Sequence, residues 1–310
     1  MVMQRDFEEA MKHILVLFPK DWDRDELEQP RYRARYTFYY EGFDLFSFPE
    51  NARLITFNVR RYIDKLVNKY RDRVDGVISN NEQFGALIAA VVAQRLGLPG
   101  TDPAVIIAAQ HKYYARCLQQ KIVPEATPRY SVFPYKMHSA AEVGLPFPLY
   151  VKPVKATYSV LARRVDSFAQ LQSHLQFNFL ETLILHKLVT PFNDLMARFT
   201  PFTIDAHHLI AEEIMTGVQV NLDGFMHNGK ITILGIVDEV MYPGTQAFLR
   251  FEYPSRLPAG VLERIRALAE KLFTGIDYGY GFFNLELMYQ PENGRIQIIE
   301  INPRMASQIV

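Results

Sequence analysis

The sequence predicts an α/β fold over roughly its first hundred residues and an α+β fold over the rest. Three observations carry that prediction. Short apolar runs alternate with helix-period segments as far as Gly97. Strand-like runs separated by glycine turns follow between Leu209 and Val237. Near the end, two further runs, Phe282–Met288 and Ile296–Asn302, flank the turn-forming stretch Pro291-Glu292-Asn293-Gly294.

His13–Phe18 reads as a buried strand, the acidic, proline-punctuated Lys20–Pro30 as loop, and Arg31–Tyr40 as helix. Asn58–Arg73 sets Val59, Tyr62, Ile63, Leu66, Val67 and Tyr70 at the i, i+3, i+4 spacing of an amphipathic helix. Val74–Ser79 is a short strand. Asn80 or Asn81 can cap the next helix, Glu82–Leu96, which Gly97 ends. Such alternation implies a parallel, Rossmann-like sheet. Phe18-Pro19-Lys20 stands where G-x-G-x-x-G would follow the first strand, so no dinucleotide cofactor is expected in this half.

Asp102 can cap a helix running to Gln120, with any break falling near His111, and Val123–Pro128 reads as an extended linker. Leu149–Lys152 and Ser159–Val165 read as a strand pair, and Asp166–Gln176 as a helix. Leu209–Met215, Val218–Phe225 and Ile231–Val237 are expected to form an antiparallel meander, with turns at Thr216-Gly217 and His227-Asn228-Gly229. Pro258 opens a helix over Ala259–Phe273 that leads into the final hairpin.

The register of that hairpin matters. Side chains alternate faces along a strand. A two-residue Asn293-Gly294 loop would set Glu286 opposite Ile301, mixing a carboxylate with the core. A three-residue loop, 292–294 with Gly294 left-handed, sets Glu286 opposite Glu300 and Asn284 opposite Asn302. It also keeps Leu285, Leu287, Ile299 and Ile301 on the buried face, and is preferred for that reason. It leaves two carboxylates roughly 5 Å apart, which repel unless something lies between them. A hard divalent cation would resolve the conflict; a merely solvated edge hairpin is the alternative.

Composition sets the outer limits. The 310 residues suffice for two domains or one large one. Lys plus Arg and Asp plus Glu balance at 34 each, so neither nucleic acid nor an anionic membrane is expected as a partner. The lone Cys117 excludes an internal disulfide and a cysteine-rich zinc site. The opening residues lack a secretory h-region and Ile14–Phe18 is too short to span a bilayer, so the cytoplasm is the expected location. Aromatic clusters at Tyr36–Tyr40 and Phe43–Phe48 could line a pocket. His207-His208 does not suggest a metal site, because adjacent strand residues face opposite ways.

Phe283-Asn284-Leu285-Glu286, followed after the turn by Ile299-Glu300-Ile301-Asn302-Pro303-Arg304, resembles the metal-binding end of the ATP-grasp ligases, which carry a Glu on one strand and E-x-N-x-R on the next. The resemblance implies a Rossmann-like pre-grasp domain over 1–103 and a two-lobed ATP-grasp domain over 104–310. The smaller lobe would be 104–205 and the metal-binding lobe 206–310. It is similar to the branch of the L-amino-acid ligases and carbamoyl phosphate synthetase. By resemblance, Glu286, Glu300 and Asn302 would hold Mg²⁺ (or Mn²⁺), and Arg304 would be catalytic, facing the transferred phosphate. Lys112 and Lys152, the latter in Val151-Lys152-Pro153, would contact the ATP phosphates. Lys152 was expected to be fixed in its strand and Lys112 to swing from its helix. Lys155–Ser159 holds the place of the phosphate-covering loop, where Ser159 survives but no glycine does. Ile210-Ala211-Glu212-Glu213-Ile214-Met215 resembles the adenine hinge, with Glu212 orienting the base and the main chain of Glu213, Ile214 and Met215 reading its edge. Gln219 stands where many relatives place a ribose-holding Glu.

The implied reaction is ATP-dependent, ADP-forming ligation of a small-molecule carboxylate to an amine (or thiol) through an acylphosphate. A homodimer is compatible with this reading. An ATP-binding regulatory or scaffolding protein, or a phosphotransferase on the same grasp, is the alternative reading. The stop at Val310, soon after the N-P-R motif, implies either a truncated chain or the absence of a C-terminal part that helps close the acceptor site.

Overall fold

The computed structural model describes residues 10–45, 47–156, 161–242, 244–245 and 247–306. The first stretch runs β1 (Lys12–Leu17), α1 (Asp21–Leu27), α2 (Pro30–Arg33), β2 (Tyr36–Glu41), a 3₁₀ turn, α3 (Val59–Tyr70), β3 (Gly76–Ile78) and α4 (Gly85–Leu96). β1 lies between β2 and β3, parallel to both. The parallel sheet was legible, but two of its parts were not. Lys20–Pro30 contains α1 rather than only loop, and Arg31–Tyr40 is helix only as far as Arg33 and strand from Tyr36. The aromatic-rich run Tyr36–Glu41 suits a half-buried edge strand, a preference that a helix-period reading overlooks. The aromatic residues Phe18, Phe43, Phe57, Tyr62 and Phe84 pack edge-on or tilted into one cluster, so Phe43 belongs to the core and not to a pocket.

Asn81 caps α4 through Oδ1, which accepts from the amides of Phe84 and Gly85. Asp102 caps α5 (Pro103–Gln110) in the same way. The helix breaks where expected: His111 ends α5 and begins α6 (Lys112–Ile122), and the Lys112 amide is taken by the Val154 carbonyl. Pro124–Ala126 is a single 3₁₀ turn within what was read as an extended linker.

A four-stranded sheet follows, ordered β4-β7-β5-β6, from β4 (Tyr130–Pro134), β5 (Leu149–Pro153), β6 (Arg163–Val165) and β7 (His208–Glu213). Between β6 and β7 lie α7 (Phe168–His174) and the long α8 (Phe179–Phe199). The expected meander therefore fails at its first member. β7 pairs with β4 and β5, leaving β8 (Val218–His227) and β9 (Lys230–Met241) as a hairpin in a different sheet.

That last sheet is ordered β10-β9-β8-β11-β12, with β10 (Phe248–Glu252), β11 (Gly281–Gln290) and β12 (Arg295–Asn302). Helix α9 (Ala259–Gly275) lies between β10 and β11 in the chain. One face is apolar: Val220, Leu222, Leu285, Leu287, Ile298 and Ile301 join Ile265, Leu268, Leu272 and Phe273 of α9 in the principal core. The Phe273 and Phe283 rings stack 3.7 Å apart. The other face carries the polar residues.

The hairpin meets the expected register at its functional end, Glu286 opposite Glu300 and Asn284 opposite Asn302, but by another route. The loop is four residues long, with Gln290 opposite Arg295, and a bulge at Ile299 restores the pairing. Gly294 is left-handed, at φ +69°. The bulge also changes which isoleucine enters the core. Ile298 is fully buried beside Leu287, and Ile299 is only half-buried because the extra residue flips the alternation.

Candidate active site

On the polar face, Glu286 and Glu300 stand side by side on β11 and β12. Burial first, and then the charges of Glu300 and Glu239, push the Glu286 carboxyl up to about 8. Asn302 donates Nδ2 to both Asn284 Oδ1 (3.1 Å) and Glu286 Oε1 (3.0 Å), which fixes its amide and leaves its own oxygen uncommitted to either. The row continues across the sheet: Asn284 Nδ2 donates to Asn221 Oδ1 and Asp223 Oδ2, and Asn221 Nδ2 to Glu239. Among the described residues no three His, Cys, Asp or Glu side chains come together as a metal cluster. The donor set is thus two carboxylates and an amide. Hard oxygen ligands in mutual repulsion fit a hard divalent cation that keeps several waters.

Two lysines reach this face from the smaller sheet and its helix. Lys112 Nζ lies 2.7 Å from Glu300 Oε1 and donates to the Ala156 carbonyl at 3.0 Å. Burial opposes its charge, yet Glu300 and then Glu82 outweigh burial and raise its pKa. Lys152 Nζ lies 3.0 Å from Glu212 Oε2 and donates to the Ile299 carbonyl at 3.3 Å. Both lysines are buried, at 8% and 5% exposure. The expectation that Lys112 swings freely is therefore corrected: its side chain is buried and its ammonium is held between Glu300 and the Ala156 carbonyl. Ser159 lies outside the described residues.

Glu212 sits on β7 with no exposure at all. Arg116 Nε donates to its Oε1 at 2.7 Å, and Arg116 also donates Nη2 to the Ile299 carbonyl at 2.8 Å and Nη1 to Gln119. Burial works against the Glu212 charge, but Arg116 and then Lys152 overcome it and hold the carboxyl down at about 2. The bulge explains the second acceptor. An extra residue leaves a carbonyl outside the ladder, and both cations use it. Glu213 faces outward, paired with Arg129 and Arg295 and accepting from Gln297.

Beyond Glu213 the chain leaves the sheet. The main chain of Ile214 and Met215 makes no hydrogen bond to another backbone group among the described residues, so an edge is open there. Gly217 then approaches β11 so closely, at φ +131°, that a Cβ would lie 2.0 Å from the Tyr289 carbonyl. It delivers Gln219 onto the polar face, directly opposite Glu239.

Three participants escaped the sequence reading. Glu82, just past β3, accepts both Nε (3.0 Å) and Nη2 (2.6 Å) of Arg304 on one oxygen. Burial opposes its charge, but Arg304, Lys155 and Lys112 lower its pKa. Its position at the carboxyl end of a parallel strand was a usable signal. Lys155, read only as part of the flap, is buried and donates to the Glu82 carbonyl at 3.1 Å; burial pulls its ammonium down to about 8. Arg116 lies one helical turn after Lys112 and so shares its face.

A family model for the ATP-grasp domain matches residues 145–310, and the chain belongs to that family. The fold is accordingly a Rossmann-like first part followed by a two-lobed ATP-grasp part, the lobes built on the four- and five-stranded sheets. Among solved structures, an L-amino acid ligase from Bacillus licheniformis is similar at TM-score 0.68 and 17% identity, over 96% of this chain and 68% of that one. The VanG D-Ala:D-Ser ligase from Enterococcus faecalis is similar at 0.64 and 16%, over 94% and 90%. An ADP complex of N5-carboxyaminoimidazole ribonucleotide synthetase is similar at 0.68 and 12%, over 96% and 71%. At these identities the likeness is one of fold. No curated protein sequence matches the chain. No helix among the described residues is long and apolar enough to cross a membrane.

Proposed function

We propose that the protein is an ATP- and Mg²⁺-dependent ligase that joins a small-molecule carboxylate to an amine (or thiol) and releases ADP and phosphate. The observation that carries this reading is the convergence of Lys112, on Glu300 itself, and Lys152, on the neighbouring Ile299 carbonyl, upon the sheet face that holds the repelling carboxylate pair Glu286 and Glu300. Units at 1–103, 104–205 and 206–310 would divide the work, the last two closing on the nucleotide. The open edge at Ile214–Met215 would receive adenine, and Lys112 and Lys152 the phosphates. Glu286, Glu300 and Asn302 would hold Mg²⁺ (or Mn²⁺), which when bound would offset charge on the phosphate oxygens.

The acid's carboxylate oxygen attacks the γ-phosphorus, the bond to the β,γ-bridging oxygen breaks, and ADP leaves. The amine then attacks the acyl carbon and phosphate departs with the bonding pair. Arg304, which donates to Glu82, would meet charge on the transferred phosphoryl group and then on the tetrahedral intermediate. The buried lysines and Arg304 act by position and by a field little screened by water, with no covalent enzyme intermediate.

Thermal and chemical denaturation with ATP, Mg²⁺ and both tests the reading. At a ligand level of ~100 times the dissociation constant, ATP with Mg²⁺ should add about 2.7 kcal/mol. Equal stabilisation by ATP without the metal would remove Mg²⁺ from the site. Phosphate release should then require both an acid and an amine. Release that needs neither, or none with any pair across amino acids and aromatic acids, would sink the ligase assignment.

A further inference from the structure

We propose that Glu239, on β9, supplies the carboxylate that receives the ribose hydroxyls of the nucleotide, jointly with Gln219 on the adjacent strand. This rests on the nucleotide reading above and adds to it a residue that the E-E hinge and E-x-N-x-R motifs do not contain.

Glu239 stands directly across the β8–β9 ladder from Gln219, on the face that carries Glu286 and Glu300. Its carboxylate accepts from Asn221 and is hydrogen-bonded by Gln219. The side chain is only 6% exposed, and its Oε2 has no hydrogen-bond partner among the described residues. A buried carboxylate oxygen without a donor is costly, and native proteins seldom leave one so. Burial accordingly pushes this carboxyl up to about 7. A donor is missing from the protein side.

Position identifies the donor. The open main chain at Ile214–Met215 runs through Gly217 straight into β8, and Gln219 is the first residue of β8 on the polar face. Asn221, the next on that face, is directly opposite Glu286. Successive same-face residues on a strand are about 7 Å apart. A nucleotide with its base at the open edge and its phosphates at Glu286 and Glu300 therefore lays its sugar over Gln219 and Glu239. The vicinal hydroxyls of ribose donate two hydrogens. The Gln219 carboxamide offers one acceptor and no charge, whereas Oε2 of Glu239 offers a charge-assisted one, roughly twice as strong.

The test is calorimetric titration of the full chain, with Mg²⁺ present, by AMP-PNP and by its 2′-deoxy and 3′-deoxy forms. Wild type should bind the ribose form about tenfold tighter than the deoxy forms, the value of one charge-assisted hydrogen bond. Glu239→Gln should lose that preference by weakening the ribose form alone. The double variant Gln219→Glu with Glu239→Gln should regain it, because the carboxylate returns on the other strand. A preference that persists in Glu239→Gln overturns the assignment and leaves the nucleotide reading intact, as does a wild type indifferent to the hydroxyls. Should Glu239→Gln not fold, the wild-type comparison still decides. A wild type that binds none of the analogues overturns both.

Discussion

Glu212→Gln is the most informative single substitution, because one buried carboxylate balances two buried cations. Glu212 is wholly enclosed, with Arg116 and Lys152 almost as deep. The free side chain ionises at 4.5 and the folded one at about 2. At about 1.4 kcal/mol for each tenfold change in proton affinity, that difference corresponds to about 3 kcal/mol at neutral pH. Removing one partner of a buried ion pair costs about 3–5 kcal/mol by a separate route, since the cations left behind remain desolvated. The two figures agree in size. Because the folded-state pKa lies below the unfolded one, the contribution is complete above pH 4.5 and disappears as pH falls toward 2. Urea unfolding at pH 7 should therefore show Glu212→Gln less stable than wild type by about 3 kcal/mol. The gap should narrow on acidification, because only wild type has this carboxylate to protonate. A loss under about 1 kcal/mol at pH 7, or a gap that widens in acid, would refute the reasoning.

Lys112→Met removes the ammonium 2.7 Å from Glu300, so without nucleotide the carboxylate pair should take Mn²⁺ several-fold more tightly by electron paramagnetic resonance, while affinity for the ATP analogue falls. Unchanged Mn²⁺ affinity would show that the lysine and the metal do not compete. Glu300→Gln and Asn302→Ala should abolish phosphate release with the far-ultraviolet circular dichroism spectrum intact; near-normal turnover in either would move the metal ligands elsewhere. Gly217→Ala would force a Cβ onto the Tyr289 carbonyl at a backbone angle side chains avoid, and should cost more than about 2 kcal/mol in urea unfolding.

The sequence made the terminal hairpin legible because its chemistry is local. Two carboxylates must share a face or one must enter the core, and that requirement gives the pairing of Glu286 with Glu300 although the loop has four residues and not three. The bulge at Ile299 was invisible, since a one-residue insertion is decided by what the freed carbonyl can bind, here Arg116 and Lys152 from distant parts of the chain. The same limit explains β7. Its pattern reads as a strand, but its partners β4 and β5 lie far upstream, and adjacency to β8 suggested the wrong sheet. Tyr36–Glu41 failed for a different reason: an edge strand half-buried at every position has no strict alternation to announce it. The enclosure of Lys152 follows from its apolar strand, whereas that of Lys112 does not show in the sequence, because Glu300, which holds it, is a tertiary neighbour.

The bulge at Ile299 also divides the hairpin into two lengths held by different partners. Toward the tip, Arg264 donates to the Gly294 carbonyl and Arg295 pairs with Glu213. Toward the cleft, Glu300 and Asn302 answer to cations clamped on the Ile299 carbonyl. The exposed Glu292-Asn293 at the tip, on the far side of the bulge from Glu300, is the place to graft a fluorophore or an affinity tag. Deleting Ile299 would make the ladder regular and keep Glu300 opposite Glu286, but would take away the carbonyl that Arg116 and Lys152 share.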